Sequence, residues 1–117
     1  MAPEPAEIAD KRSYASDIHT YRLRLRDADT RRRFEFVPGQ FNMVCVPGVG
    51  EVAISVASDP EDELIDHTIR IVGRTTGVIA GLGVGDVLGI RGPYGNGWPL
   101  LDARWKDVLV VTGGLGC

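Results

Sequence analysis

The chain of 117 residues is long enough for one domain, and its 44% hydrophobic and 25% charged residues exclude a disordered or fibrous protein. Its formal net charge is −3, with 13 Lys and Arg against 16 Asp and Glu, which argues against non-specific binding to nucleic acid. No apolar run approaches the ~20 residues that a membrane span requires. Two cysteines, Cys45 and Cys117, are too few for a disulfide framework, so a reducing, cytoplasmic setting is predicted.

The first third of the chain contains no glycine, since all 15 glycines follow Pro38. Residues 1–13 begin with prolines, alanines and acids and are predicted to form a loose N-terminal lead. From Thr20, apolar side chains alternate with arginines, which predicts a strand with one buried and one solvated face. The expected buried residues are Tyr21, Leu23 and Leu25, and the expected solvated ones are Arg22, Arg24 and Arg26. Asp27–Thr30 has the composition of a turn.

Short apolar segments separated by glycine-rich turns occupy the middle of the chain. Phe34 and Phe36 alternate into the Pro38–Gly39 turn, and further strands are predicted at Phe41–Val46, Val52–Ala57, His67–Val72 and Val87–Arg91. The period changes at Thr75, where residues 76–82 are predicted to form one short helix with a threonine as N-cap. Strands at this spacing with a single helix predict that residues 14–101 form an all-β domain, a small antiparallel barrel.

The last segment, residues 102–117, has a different pattern. Val108–Val111 is continuously apolar, as in a strand of a parallel sheet that is buried on both faces. The glycines that follow it are Gly113, Gly114 and Gly116. A buried strand that runs into a glycine-rich turn is how a dinucleotide-binding unit begins. Residues 102–117 are therefore predicted to be the first strand and turn of a truncated α/β domain of the dinucleotide-binding type.

One candidate site is visible from spacing alone, at the turn over residues 72–77. Gly73 and Gly77 would let a ligand approach the backbone, and Arg70 or Arg74 could neutralise a phosphate beside the free N–H groups of the helix. The alternative is an ordinary strand-to-helix turn with a threonine cap. His19 and His67 have no partner at metal-ligand spacing, so no metal site is predicted.

Five motifs occur in an order that resembles the ferredoxin–NADP reductase superfamily. They are Pro38–Phe41, Ala53–Ser55, Gly73–Thr76, Gly92–Gly97 and Thr112–Gly116. The resemblance covers about Tyr14 to Cys117, and within the superfamily the sequence is most similar to the gamma subunits of cytoplasmic hydrogenases. Electron-transfer subunits of dihydroorotate dehydrogenase and of anaerobic sulfite reductase are nearly as similar.

This resemblance implies a six-stranded Greek-key barrel that binds FAD, followed by an NAD(P)-binding domain and a cysteine-held iron–sulfur cluster beyond this chain. By analogy, the flavin ring lies against Val52, Ala53, Ile54 and Ser55, and the Ser55 hydroxyl has a catalytic role near the nitrogen that exchanges hydride. Thr68, Ile69 and Arg70 match the next flavin-contacting segment. Gly73, Thr75, Thr76 and Gly77 match the pyrophosphate turn.

The sequence departs from the superfamily at Val52, where most members have an arginine that meets the pyrophosphate. Hydrogenase-type members also tend to lack it, and its loss leaves the phosphate charge to Arg70 and the helix. The implied function is electron transfer between NAD(P)H, FAD and the iron–sulfur centres of partner subunits, with a hydrogenase as the expected complex. The 117 residues alone are expected to be inactive with NAD(P)H and to self-associate through the C-terminal strand. The alternative, from another class of function, is a barrel that binds no flavin and serves as a structural or docking module.

Overall fold

A computed structural model describes residues 2–99, 104–109 and 111. Six strands form one antiparallel sheet in the order β4-β3-β6-β1-β2-β5. The strands are β1 Glu4–Ala15, β2 Ile18–Leu25, β3 Phe41–Val46, β4 Gly50–Ser55, β5 Ile65–Arg70 and β6 Val87–Tyr94. Two helices, α1 Ala28–Arg33 and α2 Arg74–Ala80, follow β2 and β5. The predicted six-stranded antiparallel architecture is confirmed.

The sheet closes into a barrel where its two outer strands, β4 and β5, meet. The Ala57 N–H donates to the Asp66 carbonyl at 2.8 Å, and the His67 ring contacts the Ser55 carbonyl at 3.0 Å. The interior is filled by the inward side chains of the strands, as the alternation predicted for Tyr21, Leu23 and Leu25. Closure removes the exposed edges that an open sheet would leave.

Helix α2 is attached firmly to the barrel. Ile79 is fully buried in the core, and its carbonyl accepts a hydrogen bond from the Tyr21 hydroxyl at 2.9 Å. The Lys11 ammonium donates to the carbonyls of Ala80 and Leu82, both at 2.8 Å, and so satisfies groups at the helix C-terminus that have no partner within the helix. These contacts fix the position of the turn that begins the helix.

The predicted N-terminal lead is wrong over residues 4–13, because this segment belongs to β1, which is 12 residues long. β1 lies inside the sheet and pairs with both β2 and β6. Ala6 and Ile8 are fully buried and provide its core contacts. The segment around Phe34 and Phe36, which the alternation suggested to be extended, is not one of the six strands.

A second helix, α1, occupies the segment predicted to be a turn. Asp27 is its N-cap, and the Asp27 carboxylate accepts hydrogen bonds from the Thr30 N–H and hydroxyl, both at 2.8 Å. Three arginines in the last turn, Arg31–Arg33, lie at the end where the helix dipole favours positive charge. Turn-forming residues thus begin a helix here.

The last described residues carry no regular element. Residues 104–109 and 111 include Val108, Leu109 and Val111, whose side chains are exposed, and none of these residues belongs to a strand. The predicted glycine-rich turn with Gly113, Gly114 and Gly116 lies outside the described residues. Among the described residues, no helix is long and apolar enough to cross a membrane.

Candidate functional site

A cleft of about 990 Å³ lies over the seam where β4 and β5 close the barrel. This volume is at the upper end of the range of about 300–1,000 Å³ that is typical of cofactor and ligand clefts. The lining comes from β4 and the residues that follow it, from β5, from the start of α2, and from single residues of distant segments. The cleft brings together seven of the residues predicted from the sequence. They are Val52, Ala53, Ile54, Ser55, Thr68, Arg70 and Thr76.

Strand β4 presents small side chains outward at this cleft. Ala53 and Ser55 are exposed, whereas Val52 and Ile54 alternate toward the barrel and pack against its core. The exposed Ser55 hydroxyl can therefore meet a ligand, while the carbonyl of the same residue faces His67. A flat ligand can approach this end of the strand closely because Ala53 and Ser55, its outward residues at the cleft, have small side chains.

His67 supports the strand from behind. Its Nδ1–H donates to the Ser55 carbonyl at 3.0 Å, which leaves Nε2 to accept from the Asn42 amide at 3.2 Å. Burial lowers the pKa of His67 from its ordinary 6.5 to about 4, and the bond to Ser55 offsets only part of this effect. The imidazole is therefore neutral at pH 7 and fixes the backbone of Ser55.

Strand β5 contributes one face of the cleft through alternate residues. The Thr68 hydroxyl is bonded to the Thr20 hydroxyl at 2.7 Å, and the exposed Arg70 guanidinium lies 3.7 Å from the Asp17 carboxylate. Ile69 points the other way, is 2% exposed, and does not line the cleft. Strand alternation directs the Ile69 side chain into the core, so the predicted contact of Ile69 with a ligand would be made by its backbone.

The turn before α2 is built differently from the prediction. Gly73 is the N-cap, and Thr76 provides the side-chain hydrogen bonds, since its hydroxyl accepts from the N–H groups of Val72 and Gly73 at 2.9 and 3.0 Å. The Thr76 side chain is buried and occupied by these bonds. The first N–H groups of the helix lack acceptors within it, as at any helix start. A Cβ on Gly73 or Gly77 meets no atom within 4 Å, so the space in front of the turn is open.

Gly73, Thr75 and Gly77 flank the cleft without lining it, while seven of the lining residues are not among the predicted ligands. These are Tyr14, Thr20, Gly39, Val56, Ala57, Val72 and Trp98. Tyr14 and Trp98 are 67% and 68% exposed. They come from opposite ends of the described chain, so only the folded barrel brings them together. In the sequence, Trp98 directly follows the Gly92–Gly97 motif, whereas no motif marks Tyr14.

A family model for the oxidoreductase FAD-binding domain matches residues 5–98. The chain belongs to this family. Its barrel is of the ferredoxin reductase type. A ferredoxin–NADP⁺ reductase from Neisseria gonorrhoeae, solved with bound FAD and NADP, has the same fold, with a TM-score of 0.66 and 18% identity over 79% of this chain and 38% of that chain.

Two curated relatives are also similar to the chain. The sulfhydrogenase 2 subunit gamma of Pyrococcus furiosus is 39% identical over 95% of this chain and 38% of its own length. A probable dihydroorotate dehydrogenase B electron transfer subunit of Methanothermobacter thermautotrophicus is 46% identical over 97% of this chain and 40% of its own length. The chain thus spans about two fifths of the length of these relatives.

The residues present fit FAD. The cleft has the volume of a cofactor site, the outward residues of β4 at the cleft, Ala53 and Ser55, are small, and the turn before α2 is open at Gly73 and Gly77. Arg70 provides a positive charge at the cleft. Val52 stands on β4, half-buried, so this position supplies no charge to a pyrophosphate.

Proposed function

We propose that this chain is the FAD-binding part of an electron-transfer flavoprotein subunit, which passes electrons between NAD(P)H, FAD and the iron–sulfur centres of a partner. The observation that carries the proposal is the cleft of about 990 Å³ over the β4–β5 seam, in a barrel of the FAD-binding family. Bound FAD would supply the hydride and single-electron chemistry. The protein supplies position and polarity.

The flavin ring is proposed to lie on the outer face of Val52–Ser55, with Thr68 and Arg70 at its side. The pyrophosphate is proposed to lie at Gly73, Thr75, Thr76 and Gly77, where the positive end of α2 and the Arg70 guanidinium offset its charge. The Arg70 guanidinium also forms an ion pair with the Asp17 carboxylate, which lies 3.7 Å away. Because Thr76 uses its hydroxyl within the turn, its contribution to the ligand would come from the backbone N–H.

Ser55 is the proposed catalytic residue. Its exposed hydroxyl can donate a hydrogen bond to the reacting edge of the ring, while His67 holds its carbonyl and thereby the strand. A donor that is already in place stabilises charge as it develops, without reorganisation. We expect Ser55→Ala to slow reduction of the bound flavin by a small dihydronicotinamide roughly 10-fold, which corresponds to about 1.4 kcal/mol of barrier. FAD affinity should change less; equal reduction rates would remove this role.

The complex that receives the electrons belongs to the same proposal. One relative is named as a sulfhydrogenase subunit and another as an electron transfer subunit of dihydroorotate dehydrogenase B. We favour a hydrogenase-type partner, with the dihydroorotate dehydrogenase or sulfite reductase type as the second candidate. An iron–sulfur cluster and the NAD(P) site, which includes Gly113, Gly114 and Gly116, complete the proposed subunit. The expected cytoplasmic location is also part of the proposal.

Titration of the purified chain with FAD tests the proposal. We expect a saturable complex with perturbed flavin absorption bands; a chain that leaves added FAD unchanged would instead be a flavin-free docking barrel. Because the chain spans about two fifths of its relatives, we expect NADH or NADPH to reduce this complex slowly, while dithionite reduces it fully. Fast, saturable bleaching by NADH would contradict the assignment of nicotinamide binding to a second domain.

A further inference from the structure

The loop that follows β6 is fastened to the turn before β3 by two hydrogen bonds, and a third hydrogen bond lies within that turn. The Gln40 side chain accepts from the Val37 N–H and donates to the Gly95 carbonyl, both at 2.9 Å. The Trp98 N–H donates to the Pro38 carbonyl at 2.7 Å. Gln40 and Gly95, which belong to two sequence motifs and lie 55 positions apart, are thus in direct contact. These hydrogen bonds fix the backbone of Trp98.

Glycines make this contact possible. Gly39 has a φ of +103°, in the left-handed region that favours glycine, and a Cβ on it would lie 2.8 Å from the Trp98 nitrogen. A Cβ on Gly97 would lie 2.4 Å from Val37 Cγ2. The two backbone segments therefore touch where any side chain would separate them. Such close packing holds Trp98 at the rim of the cleft.

The Trp98 indole itself is 68% exposed and lines the cleft. A large aromatic side chain gains free energy when it is covered, by about 25 cal/mol for each Å² of apolar surface removed from water. The hydrogen bond and close packing described above hold the backbone of Trp98, and its side chain is open toward the cleft. The indole can therefore pack against a planar ligand.

The position of Trp98 indicates which part of the cofactor it meets. Phe41, three residues after Pro38, pairs with Ser55 at the end of β4. The other end of β4, at Gly50, lies beside Thr75 in α2, since a Cβ there would be 3.0 Å from the Thr75 hydroxyl. At ~3.3 Å per residue these ends are roughly 17 Å apart. Trp98 is therefore at the Ser55 end and the proposed pyrophosphate turn is at the other.

We propose that the Trp98 indole packs against the flavin ring and forms the aromatic wall of its site. The proposal rests on the proposed function, which provides the ring at the Ser55 end of the cleft. It assigns a binding role to a residue outside the three segments proposed to hold FAD, which lie over residues 52–55, 68–70 and 73–77. On this proposal, the Gln40 side chain and Gly39 hold Trp98 in position against the flavin ring.

Fluorescence of the bound flavin tests this contact. An indole that touches a flavin quenches its emission by electron transfer, which requires contact distance. We expect weak emission from FAD bound to the unchanged chain and emission several-fold stronger in Trp98→Phe. Trp105→Phe is the matched control, because Trp105 is 91% exposed and does not line the cleft. Tyr14→Phe tests the other aromatic residue at the cleft.

Affinity provides a second measurement. We expect Trp98→Leu to weaken FAD binding roughly 3- to 10-fold and Trp98→Phe less, since an aromatic ring still stacks. FMN and ADP are used as separate probes: Trp98→Leu should weaken FMN binding and leave ADP binding unchanged. An effect on ADP alone would overturn the assignment to the flavin ring. Thermal unfolding should be nearly unchanged in Trp98→Leu, because the side chain is exposed.

The two proposals fail in distinguishable ways. If the unchanged chain binds no FAD, the proposed function is contradicted. If it binds FAD and Trp98→Phe leaves both emission and affinity as they were, the proposed function stands and the role of Trp98 is overturned. Emission that recovers in Tyr14→Phe and not in Trp98→Phe would assign the aromatic wall to the opposite side of the cleft.

Discussion

His67 links the core of the barrel to its outer face. The ring is fully buried, yet each nitrogen has a partner, on β3 through Asn42 and on β4 through Ser55. A protonated imidazole would have to give up the acceptor role of Nε2 and carry a charge in an apolar interior. The neutral form is thus the one that fits, and it joins three strands at the point of closure.

This burial makes the free energy of unfolding depend on pH. The pKa of His67 is about 4 in the folded chain and about 6.5 when unfolded, so the unfolded chain takes up the proton first as pH falls. Stability is complete above pH 6.5 and decreases from there down to pH 4. The decrease between pH 7 and pH 5 should be about 2 kcal/mol from this residue.

Urea unfolding of the unchanged chain and of His67→Gln, at pH 7 and at pH 5, measures this effect. We expect the variant to be less stable at pH 7 and to have a much flatter pH dependence over this interval. Carboxylates such as Glu51, whose pKa is lowered by the Cys45 thiol and by Arg91, add their own loss at lower pH. The same pH dependence in both proteins would show that another group is responsible.

At the scale of elements, the sequence predicts those strands and helices that are determined by local patterns. Strands β2 to β6 follow from alternation and glycine-rich turns, and β3 has the bounds predicted for it. The sequence does not indicate β1, because its prolines and acids have the composition of a flexible lead. This strand pairs with β2, which follows it directly, and with β6, which lies distant in sequence. α1 was missed because a six-residue helix that follows an N-cap aspartate has the composition of a turn.

In the candidate site, too, residues placed by local sequence are predictable, and residues placed by long-range contacts are not. Ser55 and its neighbours on β4 could be predicted from contiguous motifs, since the strand presents them in order. Trp98 and Tyr14 could not, because their place at the cleft results from closure of the barrel and from the Gln40 contacts. The inward direction of Ile69 followed from strand alternation, which the family resemblance alone did not consider.

Helix α2 provides a direct test of the proposed pyrophosphate site. Gly77 is exposed and its Cβ position is open, so Gly77→Asn and Gly77→Asp place side chains of the same shape in front of the turn. The asparagine measures the steric effect, and the aspartate adds a charge that opposes phosphate. We expect FAD affinity to fall roughly 3- to 10-fold further in the aspartate variant, an effect of about 1 kcal/mol.

The steric and electrostatic effects of these substitutions on FAD affinity can be separated from their effects on folding. Gly77→Ala should raise the free energy of unfolding by about 0.5–1 kcal/mol, because glycine inside a helix is unfavourable. High salt should reduce the difference between the aspartate and asparagine variants. If these two variants bind FAD equally at low salt, the pyrophosphate does not lie at this turn.

At the scale of the whole molecule, the closure of the barrel also forms the cleft. The hydrogen bonds that join β4 to β5 also complete the floor of the cleft, because the cleft lies over that seam. A ligand that spans both strands would therefore stabilise the closed barrel in proportion to its concentration over its Kd. FAD should protect the amide hydrogens of Ala57 and its neighbours at the seam more than those of the β1–β2 hairpin.

The apolar residues after the barrel predict self-association. Val108, Leu109 and Val111 are 63%, 89% and 85% exposed, and such a cluster gains free energy when a second copy covers it. We expect the mean mass in sedimentation experiments to rise with protein concentration. Leu109→Glu should weaken the dimer roughly 10-fold or more, because burying a leucine contributes about 1.5–3 kcal/mol and a buried charge opposes contact. Val84→Glu adds the same charge at a valine that is 67% exposed between α2 and β6, and should leave association unchanged. A mass independent of concentration, or equal weakening by both substitutions, would show that this segment does not form the contact.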